Sequence, residues 1–346
     1  MYSKKLKRFH SFIPKLEKAK ILVIGDVMLD RFMWGTVSRI SPEAPVPVVL
    51  AKSESFMPGG ASNVATNIRA FNAQAYMCGV VGDDEPGRIL IAELAKKGIN
   101  NEGIFIDSSR PTVHKTRIIA HHQQIVRIDK ESEESLKASV VTRIISYAKA
   151  KIKEVDAIIL EDYGKGLIVP RLIKELVGLA KKHKKIIMVD PKQEHLKLYK
   201  SVTSITPNKK EAESASGVKI KNLASLKLAG KKLLKLINSE SALITLGEDG
   251  MALFDKKGSF IRIPTVAQEV YDVSGAGDTV IAVFTLALAS GATLTEAAHI
   301  ANIAAGVVVG KLGIAVCNQK ELKRHLNQVN RYGVNKKKTG VSGSIF

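Results

Sequence analysis

The chain has 346 residues, 53 Lys and Arg against 33 Asp and Glu for a formal net charge of +20, and two cysteines. That length holds one large α/β domain with an appendage or two modest domains, and the positive balance favours anionic partners such as phosphorylated metabolites, nucleic acid or acidic membranes. Cys78 and Cys317 sit in apolar stretches without metal-ligand spacing, which argues against a disulfide framework and for a reducing, cytoplasmic setting.

Residues 1–20 form a basic N-terminal extension, and Phe9 to Lys20 mixes Pro, Lys and Glu where a signal peptide needs an unbroken apolar run. Ile21 to Ile24 is the first buried strand. It ends in Gly25-Asp26-Val27-Met28-Leu29-Asp30, which places carboxylates at the carboxyl end of a strand, where open α/β sheets bind ligands. Asp30 there is suited to two hydroxyls of a ligand, or is a capping acid.

Arg31 to Met57, with Pro42, Pro45 and Pro47, breaks the α/β rhythm, as does the alternating segment Thr112 to Ile128. Both are expected as antiparallel strands outside the main sheet, together forming a small lid. Between them come Pro58-Gly59-Gly60-Ala61-Ser62-Asn63 leading a helix to Phe71, a strand over Ala75 to Val81 and a helix over Arg88 to Lys97. The Gly59-Gly60 pair lets a polyhydroxylated ligand pack closely, with Asn63 as donor and acceptor, or is a plain turn.

Helices then alternate with strands: Ser135 to Ile152, Ala157 to Leu160, Arg171 to Lys182, Ile186 to Val189, Val202 to Thr206, Leu223 to Ile237 and Ala242 to Leu246. Such alternation predicts an α/β fold with a mostly parallel sheet covered on both faces. Asn208 and Glu211, three apart at a helix start, are placed to hold Mg²⁺ through water or simply to cap the helix. Gly247-Glu248-Asp249-Gly250 is a turn near nucleotide phosphates or an ordinary hairpin turn.

Asp272-Val273-Ser274-Gly275-Ala276-Gly277-Asp278-Thr279 opens an apolar helix and is the most informative segment. Two glycines permit close backbone approach, and the first helical turn offers unpaired N–H groups, an anion hole for a migrating phosphoryl group. Asp278 in that turn is placed to take a proton from an alcohol, or was chosen for the helix dipole. The apolar runs Val280 to Ala289 and Ile303 to Val309 fall short of the ~20 residues a membrane span needs and read as buried helices. Residues 331–346 read as a disordered basic tail.

Some features are expected to carry no chemistry. His121-His122 lacks a third zinc ligand, and Gly310-Lys311-Leu312-Gly313 lacks the rest of a phosphate-loop pattern. The Lys-rich runs, such as Lys181 to Lys185 and Lys336 to Lys338, have no interleaved aromatics and read as solvated faces rather than a nucleic-acid platform.

From about Ile21 to Arg324 these segments, in this order, resemble the ribokinase-like (PfkB) carbohydrate kinases. Gly25 to Arg31, Ser38-Arg39-Ile40-Ser41-Pro42-Glu43-Ala44-Pro45-Val46-Pro47, Gln123 to Asp129, Gln268 to Val273 and Ala304 to Gly313 narrow the resemblance to the branch acting on D-glycero-β-D-manno-heptose 7-phosphate. It implies a three-layer α/β/α kinase domain over residues 21–330, standing alone without the adenylyltransferase domain that many such chains carry. The implied chemistry is transfer from ATP to O1 of the heptose 7-phosphate, in ADP-heptose and lipopolysaccharide core synthesis.

By motif, the resemblance makes Asp278 the base and Gly275, Ala276 and Gly277 the anion hole. Asp30, Gly59, Gly60 and Asn63 would hold sugar hydroxyls, and Asn208 and Glu211 would organise Mg²⁺ and the phosphates. Thr245, Gly247, Gly250, Asn302 and Ala305 would flank the nucleotide. Charge and position add Arg39, Lys165 and Lys192 for the substrate's own phosphate. A homodimer through the lids and a monovalent cation (K⁺) near Asp272 are also implied, with no nucleic-acid or membrane partner. Two positions depart from the pattern: Glu161 stands where Ser is expected, and Ile314-Ala315 replaces Thr-Ser. The alternatives are a kinase of another sugar, such as ribose or fructose 6-phosphate, and a catalytically silent nucleic-acid-binding protein.

Overall fold

A computed structural model describes residues 2–121, 123–267 and 269–338, with side chains described from Arg8 to Gln328. His122, Gln268 and the last eight residues of the expected tail, 339–346, lie outside the described residues.

The strands are β1 (Lys20–Gly25), β2 (Val27–Ile40), β3 (Pro47–Gly60), β4 (Gln74–Val81), β5 (Asn100–Ile106), β6 (His114–Ala120), β7 (Gln123–Lys130), β8 (Ala157–Glu161), β9 (Ile186–Asp190), β10 (Ser204–Ile205), β11 (Ser241–Thr245), β12 (Met251–Asp255) and β13 (Phe260–Ile263). The α-helices are α1 (Tyr2–Leu16), α2 (Ala61–Ala70), α3 (Glu85–Lys96), α4 (Ala138–Lys151), α5 (Pro170–Lys182), α6 (Lys209–Ser216), α7 (Leu223–Ile237), α8 (Ala276–Ala289), α9 (Leu294–Val309) and α10 (Gln319–Lys338). The main sheet runs β13-β12-β11-β10-β9-β8-β1-β4-β5, parallel from β11 to β5, with β12 and β13 antiparallel at one edge.

Alternation along β1 builds the layers. Ile21 and Val23 face one core with α1, α2, α3, α8 and α9, while Leu22 and Ile24 face a second with α4, α5 and α7. A strand buried on both faces has no polar alternation, which is why it reads as a continuous apolar run. Local signals fix the helix starts: Asp84 accepts from Gly87 N–H before α3, and capping boxes Asn208/Glu211 and Thr293/Glu296 open α6 and α9.

A four-stranded sheet, β3-β2-β6-β7, stands off the main sheet as the expected lid. It is rooted in the core: β2 leaves β1 after Asp26, and the pairing Val27↔Gly60 brings the start of β2 beside the end of β3. Its outer strand β7 is exposed along its whole length.

Strands β5, β12 and β13 were not expected, and three expected elements take a different form. Residues 1–20, read as an extension, include the helix Tyr2–Leu16, whose Phe9, Phe12, Ile13 and Leu16 are buried; their spacing is the apolar face of a helix, masked by the polar and proline residues His10, Ser11, Pro14 and Lys15 between. The strand expected over Val202 to Thr206 pairs only at Ser204–Ile205. The last helix continues to Lys338, into the stretch marked for disorder by its Lys, Gly and Ser content.

Candidate functional site

The carboxyl ends of β1, β8 and β9 and the first turn of α8 converge beneath the lid. Gly275, in a left-handed conformation (φ 76°), precedes the helix and turns the chain so that Ala276, Gly277 and Asp278 form its first turn. A Cβ on Gly275 would stand 2.9 Å from Asn63 Nδ2. Asp278 is 6% exposed and anchored on both oxygens: Asn63 Nδ2 donates to Oδ2 at 2.6 Å, and the Tyr163 hydroxyl donates to Oδ1 at 2.8 Å.

Burial pushes the Asp278 carboxyl above the ordinary range, the Asn63 and Tyr163 bonds pull it back by favouring the ionised form, and Asp30 pushes it up again. The Tyr163 phenol is itself held well above its usual value by burial and by Asp278. A carboxyl tuned upward and held by two donors has the character of a general base.

Asp278 lines a cavity of about 110 Å³ together with Met28, Asp30, Gly59, Gly60, Asn63, Lys115, Arg117, Tyr163, Ser274, Gly275 and Ile314. The expected quartet Asp30, Gly59, Gly60 and Asn63 is therefore assembled around Asp278. Gly60 takes φ 55° and lies under the Asp26 carbonyl, so a side chain there would strike backbone at 2.5 Å. Asp30 forms an ion pair with Arg117 of the lid, whose guanidinium also sits over the Phe32 ring.

A second cavity, about 440 Å³, adjoins the other side of the same turn. Thr245, Gly247, Gly250, Asn302 and Ala305 all line it, as do Ala276 and Gly277 from the first turn of α8 and the apolar Val270, Val273, Val280 and Val309. Asn302 is fixed by donating to the Pro264 carbonyl at 2.9 Å. Residues 276–278 thus form the wall between a small polar chamber and a large, mainly apolar one.

Behind the turn, Glu161 and Asp190 end neighbouring strands β8 and β9 in register, and one carboxylate oxygen from each lies within 4.8 Å of one from Asp278. Glu161 is 1% exposed and its Oε2 has no hydrogen-bond partner among the described residues. Burial, Asp190 and Asp278 drive Glu161 well above the usual carboxylate range, and burial with Glu211 raises Asp190 to about 8. The position that departs from the family pattern is therefore a buried acid pushed upward by its own burial and by two neighbouring carboxylates.

Asn208 and Glu211 hold each other: Asn208 Oδ1 accepts from Glu211 N–H at 3.1 Å and Glu211 Oε2 accepts from Asn208 N–H at 2.7 Å. Neither lines either cavity, although Glu211 is close enough to raise Asp190. The three cations named for the substrate's phosphate are not brought to the small chamber. Arg39 is exposed near the far end of β2, because a strand this long carries its tip away from the cleft. Lys165 Nζ is committed to Glu131 at 2.7 Å and Glu133 at 3.3 Å, and Lys192 is an exposed side chain beside Gly164. Lys115, Arg117, Tyr163 and Asp190 were missed. The i, i+2 spacing of Lys115 and Arg117 within the alternating lid segment was the available signal for the first two.

Among features set aside, His121 Nε2 lies 3.2 Å from the Val37 N–H and 3.0 Å from the Val37 carbonyl within the lid, and Lys311 Nζ donates to the Val316 carbonyl and pairs with Glu321 at 2.6 Å. No helix among the described residues is long and apolar enough to cross a membrane.

The chain as a whole has counterparts among known proteins. The profile described as "pfkB family carbohydrate kinase" matches residues 18–321. Bifunctional protein HldE of Desulfatibacillum aliphaticivorans is 46% identical over 318 residues, 92% of this chain and 65% of that protein, and the HldE of Helicobacter hepaticus is 46% identical over 89% of this chain and 64% of that one. The chain thus spans about 65% of the length of the curated relatives it matches. Among solved structures, Arabidopsis thaliana ribokinase complexed with ribose and ATP superposes with a TM-score of 0.69 at 21% identity, covering 89% of this chain and 99% of that one. Phosphofructokinase-2 from Escherichia coli gives 0.73 at 17% identity over 90% and 100%. These likenesses establish a ribokinase-like fold, and with the profile spanning residues 18–321 of 346, the protein belongs to the pfkB family of carbohydrate kinases and is an ATP-dependent sugar kinase.

Proposed function

We propose that the chain phosphorylates O1 of D-glycero-β-D-manno-heptose 7-phosphate with ATP, giving the 1,7-bisphosphate used in ADP-heptose and lipopolysaccharide core synthesis. The observation that carries the phosphoryl transfer is the position of residues 276–278 between the two cavities. Asp278 faces the small chamber, while Ala276 and Gly277 face the large one. An accepting hydroxyl beside Asp278 and a γ-phosphate at the helix start meet across a single turn, and transfer of this kind depends on positioning and charge stabilisation. Asp278 accepts the hydroxyl proton as the oxygen attacks the γ-phosphorus and the bond to the β-phosphate oxygen breaks, releasing ADP, while the N–H groups of the first turn stabilise charge on the phosphoryl oxygens. Similarity to the HldE chains and the Ser38–Pro47 segment support the heptose substrate.

Divalent metal use follows from the kinase family, and the donor set fits Mg²⁺: hard carboxylate oxygens of Glu161 and Asp190 lie within 4.8 Å of each other and of one from Asp278, and Glu161 Oε2 is buried without a partner among the described residues. Asn208 and Glu211, which stand behind Asp190, are assigned a water-mediated share of the same ion. When bound it neutralises the phosphates. A monovalent cation near Asp272 and a cytoplasmic location belong to the same reading. So does a homodimer through the lids, supported by the exposed Ile125, Val126 and Ile128 on β7.

The test is a panel of sugars with Mg-ATP, followed by ADP release. Turnover is expected with the heptose 7-phosphate above ribose and fructose 6-phosphate. A higher kcat/KM for fructose 6-phosphate would remove the heptose assignment and leave the kinase standing.

A further inference from the structure

The small chamber is lined by four charged side chains: Asp30, Asp278, Lys115 and Arg117. Three are accounted for. Arg117 pairs with Asp30, and Asp278 is held by Asn63 and Tyr163. Lys115 remains. The two carboxylates level with it in the lid are Asp30 on β2 and Asp129 on β7. Asp30 is taken by Arg117, and Asp129 is engaged by Arg127 at 2.9 Å through both Nε and a terminal nitrogen. Among the described residues, no carboxylate lies within ion-pairing distance of the Lys115 ammonium.

A half-buried lysine lining a half-open polar cavity, with its neighbouring acids already engaged, is placed to take an anion that enters the cavity. It sits on β6 of the lid, two residues before Arg117, so both side chains leave the strand on the same face. The base, by contrast, stands on the helix side of the chamber.

We infer that Lys115 is an anion subsite for a phosphate monoester carried by the sugar, on the lid side of the chamber and away from the hydroxyl that Asp278 deprotonates. This rests on the proposed role of Asp278 and extends it. Lys115 holds the acceptor's phosphate as a point charge, with Arg117 beside it shared between that phosphate and Asp30. It replaces Arg39, Lys165 and Lys192, which the fold places outside the chamber. Selection for a phosphorylated sugar over its parent then rests mainly on Lys115, with Arg117 contributing.

The experiment measures kcat and KM for the heptose 7-phosphate and for the unphosphorylated heptose, at saturating Mg-ATP, with wild type, Lys115→Met and Lys115→Arg. Lys115→Met is expected to raise KM for the phosphorylated sugar by about 10- to 100-fold, the range of one charge-assisted hydrogen bond, and to shrink the preference for phosphorylated over parent sugar by the same factor. Lys115→Arg restores most of that preference, which general damage to the lid would not allow. Inorganic phosphate competes with the parent sugar's turnover in neither variant-dependent nor wild-type fashion if Lys115 binds no anion, whereas the inference requires it to bind wild type more tightly than Lys115→Met. A Lys115→Met enzyme that keeps the wild-type KM and preference overturns the inference. If wild type instead acts on a different phosphorylated sugar, the heptose assignment falls and the same comparison on that sugar decides Lys115. A wild type that prefers unphosphorylated sugars overturns Lys115 while leaving Asp278 chemistry intact.

Discussion

Tyr163→Phe isolates one of the two donors that set the state of Asp278. The phenol donates to Oδ1 at 2.8 Å in a site where the carboxylate is 6% exposed, and the ring is not required to move when the hydroxyl is removed. A hydrogen bond to a charged group contributes about 1.5–3 kcal/mol, which favours the ionised carboxylate. Part of this survives for the protonated acid, so about half, ~1.1 kcal/mol, is the differential term, equal to a little under one pKa unit. The acid limb of kcat/KM, followed by ADP release across pH, is therefore expected to move up by about one unit in the variant. On the alkaline plateau, a loss of about tenfold is expected from the freed orientation of the carboxylate. An acid limb that stays in place, or moves down, would refute the claim that Tyr163 stabilises an ionised base.

Gly275→Ala places a Cβ in a left-handed conformation and 2.9 Å from Asn63 Nδ2, so a loss of about 1–2 kcal/mol in chemical denaturation is expected together with lower kcat. Glu161→Gln removes a buried acid whose raised pKa means that ionisation opposes folding. Such a group's stabilising contribution is complete below its unfolded pKa and lost as pH rises through the folded one, so in metal-free buffer the variant should gain Tm over wild type toward neutral pH and lose that gain in acid. A variant less stable than wild type at neutral pH would contradict this. Ala305→Leu narrows the larger chamber and should raise KM for ATP by about tenfold, ~1.4 kcal/mol, with little change in KM for the sugar.

The legible parts of this chain were those where local pattern and tertiary demand coincide. The buried strands Ile21 to Ile24 and Ala157 to Leu160 are apolar because both faces are covered, and the helix start at Gly275 to Asp278 was legible because the left-handed turn before it calls for glycine. The lid was found through the prolines and alternation that break the α/β rhythm. What stayed hidden depends on long-range placement. Tyr163 reaches Asp278 across 115 residues of chain, and Asp190 meets Glu161 only through the register of β8 and β9. Lys165 looked available because nothing local shows Glu131 and Glu133 folding onto it. Strands β12 and β13 escaped because an antiparallel edge added to a parallel sheet has no separate compositional mark.

Asp278→Asn tests the central claim most directly, in a single-turnover measurement of phosphoryl transfer with ATP and sugar phosphate both saturating. Asparagine preserves size and can still meet the Tyr163 hydroxyl, so the site's shape is kept while the proton acceptor is lost. The rate is expected to fall by about 10²–10⁴-fold, with ATP affinity within a few-fold of wild type. Transfer at a rate close to that of wild type would show that Asp278 is not the base.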